Sequence, residues 1–93
     1  MTETYDTVIV GGGIMGCATA MELGRRGQRV AVVEKGALAS GSTGKSSAIV
    51  RQHYSNEVTA RMARYGLQVF SDFGERVGGG SGFVRSGFLV VRQ

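Results

Sequence analysis

A single cysteine, Cys17, leaves the chain without an internal disulfide and without a CxxC pair for metal or redox work. A reducing compartment is the simple reading, so a cytoplasmic location is expected, and no metal site is. The opening residues Met1-Thr2-Glu3-Thr4-Tyr5-Asp6 lack the basic start and apolar core of a secretory signal. There is no long hydrophobic run either. The stretch from Val8 to Leu23 is interrupted by four glycines, Thr19 and Glu22, and is too short to span a bilayer. Acidic residues are outnumbered, giving a net charge of +4, but the arginines are scattered. Arg25, Arg26 and Arg29 are followed by Arg51, Arg61 and Arg64, then by Arg76, Arg85 and Arg92. No run resembles a nucleic-acid arm, so no nucleic-acid partner is expected. The positive field favours an anionic ligand without selecting one.

Proline is absent, whereas glycine is abundant, with 16 residues against a usual share of roughly 7%. The glycines gather at 11–13, 41–44 and 78–82, between periodic segments, as loops with special backbone demands do. The apolar fraction of 42% is too high for a disordered chain. The 93 residues allow one domain at most.

Tyr5 to Val10 reads as a short strand buried on both faces of a parallel sheet. Ile14 to Arg26 reads as a helix, with Ile14, Ala18 and Met21 on one face and Gly27 as its stop. Arg29 to Glu34 is a second buried strand that ends in an acid. Two parallel strands require such a crossover. Lys35 to Ser47 is a loop, and a short helical turn is expected to begin at Ala48. The spacing of Val58, Met62, Tyr65, Val69, Phe73 and Val77 predicts a helix over 56–77, with Ser55 as its N-cap. Phe83 to Arg92 is expected to be β-like.

The turn Gly11-Gly12-Gly13-Ile14-Met15-Gly16 fits GxGxxG. Gly11 permits the tight turn out of the strand, Gly13 lets a pyrophosphate approach the backbone, and Gly16 lets the helix pack closely on the strand. The helix N-terminus then offers free N–H groups and partial positive charge to phosphates. Glu34 stands at the end of the next strand, about 20 residues on, where a ribose-binding acid is expected. Its charge would repel a 2′-phosphate, which argues against NADP. The unit alone does not separate FAD from NAD. The second cluster, Gly41-Ser42-Thr43-Gly44-Lys45-Ser46-Ser47, shifts the balance toward FAD, because its hydroxyls and cation could wrap a pyrophosphate and ribityl chain.

The run Asp6-Thr7-Val8-Ile9-Val10-Gly11-Gly12-Gly13-Ile14-Met15-Gly16 resembles the N-terminus of the FAD-dependent D-amino-acid oxidase superfamily. Gly41 through Tyr54 is similar to the flavin-proximal loop of sarcosine oxidases, especially the β subunit of the heterotetrameric type. Ser86-Gly87-Phe88-Leu89-Val90-Val91 resembles the family strand after the long helix. The resemblance implies an α/β fold: a Rossmann-like βαβ FAD-binding domain of the glutathione-reductase type, truncated, with residues 1–80 its N-terminal part. Residues 81–93 would then begin a substrate domain or connecting strand. It implies oxidation of the C–N bond of an amine or amino acid, with hydride passing to flavin N5. It implies cofactor contacts at Gly11, Gly13, Ile14, Gly16, Glu34, Ser42, Thr43, Ser47 and Ile49, with Lys35 beside the acid counted among them. Arg51 matches a flavin-proximal arginine able to stabilise charge on the reduced ring. Two departures stand out. Ala48 replaces a second basic residue of the monomeric sarcosine oxidases. Lys45 stands near where dimethylglycine dehydrogenases carry the histidine that attaches FAD, so no covalent link of that kind is expected.

Cys17, Tyr65, Phe70 and Phe73 read as core, and His53 as structural. A pocket that hides most of FAD usually needs a larger protein, so the chain is expected to work with the remainder of an enzyme or with partner subunits, and to show no amine oxidation alone. The alternatives are an NAD-binding module without flavin, or a non-catalytic truncated subunit.

Overall fold

The computed structural model describes residues 2–92. Its chain divides into two compact units, Met1–Ser47 and Ala48–Gln93.

The first unit is a βαβ. Strand β1, Thr7–Val10, pairs in parallel with β2, Val30–Val33, in the register Thr7 to Val30 through Val10 to Val33. Both strands are shorter than the sequence pattern suggests, and backbone bonds continue the pairing past each end. Asp6 N–H donates to Arg29 O at 2.9 Å, and Arg29 N–H donates to the Asp6 carboxylate at 2.8 Å. At the far end Gly11 N–H donates to Val33 O at 2.8 Å, carrying the ladder into the glycine turn.

Helix α1, Ile14–Arg25, lies against both strands. It ends in a Schellman motif: Gly27, at φ +84°, donates to Gly24 O and Gln28 donates to Leu23 O. Only a residue free of a Cβ adopts that φ without cost. Arg25 sits in the last turn, where its charge suits the dipole, and pairs with Glu22 at 3.3 Å.

Neither strand is buried on both faces. Ile9 is half-buried toward α1, whereas Val8 and Val10 on the opposite face are exposed, Val10 at 86%. Val33, paired with Val10, is exposed with them. The near-continuous valines foretell two covered faces. Among the described residues a helix layer covers only one. No hydrophobic side chain among them is fully buried.

The second unit carries α2, Glu57–Ser71, and a one-turn α3, Phe73–Arg76. The single helix expected over 56–77 is therefore divided at Asp72, which leaves helical geometry at φ −123°, ψ +35°. Its carboxylate pairs with Arg76 Nε at 3.6 Å, an i,i+4 ion pair along the short helix that follows. The N-cap is Asn56, not Ser55: Asn56 Oδ1 accepts from Val58 N–H at 2.8 Å and Thr59 N–H at 3.3 Å. Phe70 stacks on Phe73 at 6.3 Å and approaches Phe83 at 6.1 Å, so both are half-buried. Tyr65, expected in a core, is exposed.

Two further expectations are corrected. No helical turn begins at Ala48, whose φ of +54° is incompatible with a right-handed helix. No strand forms over 83–92, since a strand requires a partner and that segment pairs with none among the described residues. No helix among the described residues is long and apolar enough to cross a membrane.

Candidate functional site

The glycine turn, Glu34 and the 36–46 loop come together in the first unit. Gly11 leaves the strand at φ +111°, a conformation that admits glycine readily and other residues at a cost. Gly12, the next residue, is the buried centre of the cluster. Its N–H donates to Glu34 Oε1 at 3.2 Å. Its carbonyl accepts from Ala39 N–H at 2.9 Å and, more weakly, from the Cys17 thiol at 3.6 Å. Cys17 is thus exposed rather than core.

Glu34 follows the last residue of β2, so its side chain reaches back over the turn. Its second oxygen accepts from Gly36 N–H at 2.9 Å. These bonds favour the ionised form, the Gly36 N–H most and the Gly12 N–H next, and hold the carboxyl below the usual carboxylate range against a smaller opposing effect of desolvation. Each carboxylate oxygen keeps a further lone pair for a ribose hydroxyl.

The 36–46 loop crosses the turn as a strap. Ala39 takes up φ +61° there, unusual for a residue with a side chain. A methyl at Gly44 would collide with the Ala39 carbonyl oxygen. The strap then forms a short 3-10 turn, Ser42–Lys45, which carries Thr43 to the N-terminus of α1. Ile14 N–H donates to Thr43 Oγ1 at 3.1 Å. A Cβ on Gly13 would lie 2.8 Å from that oxygen, so the space left by the missing side chain admits a polar atom against the backbone. Gly16 packs tightly: a methyl there would strike the Gly11 carbonyl.

Gly11, Gly13, Ile14, Gly16, Glu34 and Thr43 are therefore brought together. Lys35, Ser42 and Ser47 are exposed on the same unit. Ile49 and Arg51 belong to the second unit, where Ile49 is exposed and the Arg51 guanidinium lies over the Tyr54 ring, 4.9 Å from its centroid. His53 packs its ring near Phe88 at 5.4 Å. No cluster of three metal-ligating side chains occurs among the described residues. Sequence reasoning passes over three participants. Gly12 occupies a position that GxGxxG leaves open. Ala39 carries no chemical signal. Tyr54 matters only through its neighbour Arg51.

This geometry fits the adenine-side half of a dinucleotide: donors at a helix N-terminus, room at Gly13 and an ionised acid beside the turn. Residues 6–93 match the DAO family of FAD-dependent oxidoreductases, and the chain belongs to it. The family is FAD-dependent, which settles what the glycine turn left open between FAD and NAD. The chain is 31% identical to glycine oxidase of Geobacillus kaustophilus, over 98% of its own length and 26% of that relative. It is 33% identical to the mitochondrial pyruvate dehydrogenase phosphatase regulatory subunit of Mus musculus, over 92% of the chain and 10% of the relative. It is 32% identical to sarcosine oxidase subunit beta of Rhodobacter capsulatus, over 98% of the chain and 22% of the relative. The chain thus spans about a quarter or less of these relatives. No solved structure matches it significantly.

Proposed function

We propose that this chain is the FAD-gripping portion of an enzyme that oxidises the C–N bond of a small amine or amino acid of the sarcosine type. The observation that carries the cofactor part is the junction of Glu34, the glycine turn and the Thr43 strap at the start of α1. Two relatives, named glycine oxidase and sarcosine oxidase subunit beta, support the amine part.

When bound, FAD supplies the hydride acceptor at its N5. The chain's own residues hold the other end. The first turn of α1 presents N–H groups and positive dipole to the pyrophosphate. Gly13 lets those oxygens approach, and Gly16 keeps α1 seated on β1. Glu34 accepts from ribose hydroxyls and excludes a 2′-phosphate by charge. Lys35, Ser42, Ser47 and Ile49 complete the cofactor set. Arg51, held over Tyr54, supplies a fixed cation for the reduced ring. In this reading residues 1–80 belong to a glutathione-reductase-type domain, residues 81–93 lead into a substrate domain, and the enzyme works in the cytoplasm with further subunits. The regulatory-subunit relative favours a second reading, a non-catalytic partner.

The test is the visible spectrum of the protein expressed from the longest natural reading frame containing this chain. Flavin bands bleached by sarcosine or another N-methyl amine are expected. Flavin bands indifferent to every amine would favour the non-catalytic reading.

A further inference from the structure

The strap, residues 36–46, is tied down at three places. At its entry Gly36 N–H donates to Glu34 Oε2 at 2.9 Å. At its middle Ala39 N–H donates to Gly12 O at 2.9 Å. Near its end Thr43 Oγ1 accepts from Ile14 N–H at 3.1 Å. Only the first tie ends on a charge, and hydrogen bonds to an ionised acceptor are roughly twice as strong as neutral ones. The same carboxylate, through Oε1, accepts from Gly12 N–H at 3.2 Å. Glu34 and Ala39 thus hold the backbone of one residue from its two sides, so release of Gly12 by the acid loosens the place where Ala39 is held. Ala39 itself sits at φ +61°, a conformation that persists only where its surroundings enforce it. The parallel pairing of β1 with β2 and the close seat of Gly16 on Gly11 use neither oxygen of Glu34.

We propose that the Glu34 carboxylate is the latch of the strap: its negative charge, shared between Gly36 N–H and Gly12 N–H, holds residues 36–46 across the glycine turn, and loss of that charge opens the strap while the βαβ stays folded. The latch is made of the chain's own hydrogen bonds and does not rest on the flavin reading. A protonated carboxyl carries a donor of its own, so protonation sets an O–H against a backbone N–H at one of the two oxygens. The backbone donors favour the ionised form, Gly36 first and Gly12 next, with Lys35 contributing least, against desolvation. The latch is therefore closed above the usual carboxylate range and releases as pH falls through the lowered value. No other acid competes for this part. The strap carries Lys45 and follows Lys35 but has no carboxylate, and neither strand has a titratable side chain. On α1 the Cys17 thiol reaches Gly12 O at 3.6 Å, and the one acid, Glu22, pairs with Arg25 in the last turn.

The experiment follows amide hydrogen exchange by mass spectrometry in the protein expressed from the longest natural reading frame, as wild type and Glu34→Gln, compared at equal flavin content by visible absorbance. Peptides covering 36–46 report the strap, Ala39 N–H among them, and peptides covering Thr7–Val10 report the ladder. Protection is corrected for the intrinsic effect of pH on exchange, so that it measures local opening. At pH 7 the variant is expected to lose strap protection by about threefold or more, as a charged acceptor gives way to a neutral one, with ladder protection unchanged. The wild-type strap is expected to lose protection by a similar factor as pH falls below about 4.5, and the variant to show no such step. An unchanged strap in Glu34→Gln, or a wild-type strap that opens only together with the ladder, would overturn the latch. Should Glu34→Gln not fold, the wild-type pH series decides alone. A strap that opens ahead of the ladder supports the latch, and joint opening or none sinks it.

Discussion

Two glycines of α1 are expected to respond to alanine in opposite directions. At Gly16 the added methyl would strike the Gly11 carbonyl oxygen, with the Gly11 carbonyl carbon at 3.1 Å and Ile9 Cγ2 at 3.3 Å. The chief obstruction is backbone, tied into the ladder through Gly11 N–H and Val33 O, so it cannot swing aside as a side-chain tip would. Overpacking of that kind costs about 2–3 kcal/mol. Helix propensity returns about 1 kcal/mol on replacing glycine by alanine. The net expectation for Gly16→Ala is a loss of about 1–2 kcal/mol. Gly24 lies on the same helix, and a Cβ there meets nothing within 4 Å. Only the propensity gain remains, about 0.5–1 kcal/mol. Urea unfolding of the two variants and the wild type, with a common m-value, measures the gap between them directly. A gap of about 2–3 kcal/mol is expected. A Gly16→Ala protein as stable as Gly24→Ala would refute the claim that α1 and β1 meet at backbone contact, and with it the geometry assigned to the phosphate turn.

Glu34 gives a pH prediction. Its folded-state pKa is lowered, so its contribution is fully present above the unfolded value near 4.5 and is lost as pH falls through the lower folded value. Stability of the wild type followed from pH 6 downward should therefore fall more steeply than that of Glu34→Gln below about pH 4.5, and parallel curves would contradict the assignment. Asn56→Ala removes both N-cap bonds of α2 and should cost about 1 kcal/mol in urea unfolding, whereas Ser55→Ala should stay within about 0.5 kcal/mol. Equal effects would mean that the cap is misassigned. Ala39→Gly should stabilise by up to about 1 kcal/mol, since it relieves a left-handed φ of +61°. A loss would show that the Ala39 methyl does more than tolerate its position.

The βαβ was legible because its signals are local and redundant: valine runs on either side of a glycine turn, a helix stop at Gly27 and an acid closing the second strand. The same locality explains the overreach further along. Val58 to Val77 keeps helical spacing straight through Asp72, and spacing cannot register a single residue whose backbone leaves helical geometry. Phe88 to Val91 has the composition of a strand, but a strand is a relation between two segments, and composition describes one. At the site, the residues that bear functional groups, Glu34 and Thr43, could be named from motif and chemistry. Ala39 could not, because its part is played by a backbone N–H that any residue possesses. The Arg51 and Tyr54 pairing was likewise out of reach, being a matter of ring placement rather than of residue type.

The position of Gly12 carries a consequence for sequence variation. The closest-packed place in the first unit is a peptide group and not a knot of side chains: Glu34 and Ala39 meet there through the Gly12 N–H and carbonyl. A site built that way has an inverted tolerance profile. Exchanges among valine, isoleucine and leucine at Val8, Val10, Val32 and Val33 alter exposed surface and should pass almost unnoticed in the unit itself. A side chain at Gly12 would displace the exposed tip of Leu38, at 2.7 Å and free to swing aside, and would press on the Glu34 Cβ at 3.2 Å, so it bears chiefly on the acid. The arrangement of turn, acid and strap is thereby shielded from drift in hydrophobic positions and made to depend on one residue that has no side chain to lose.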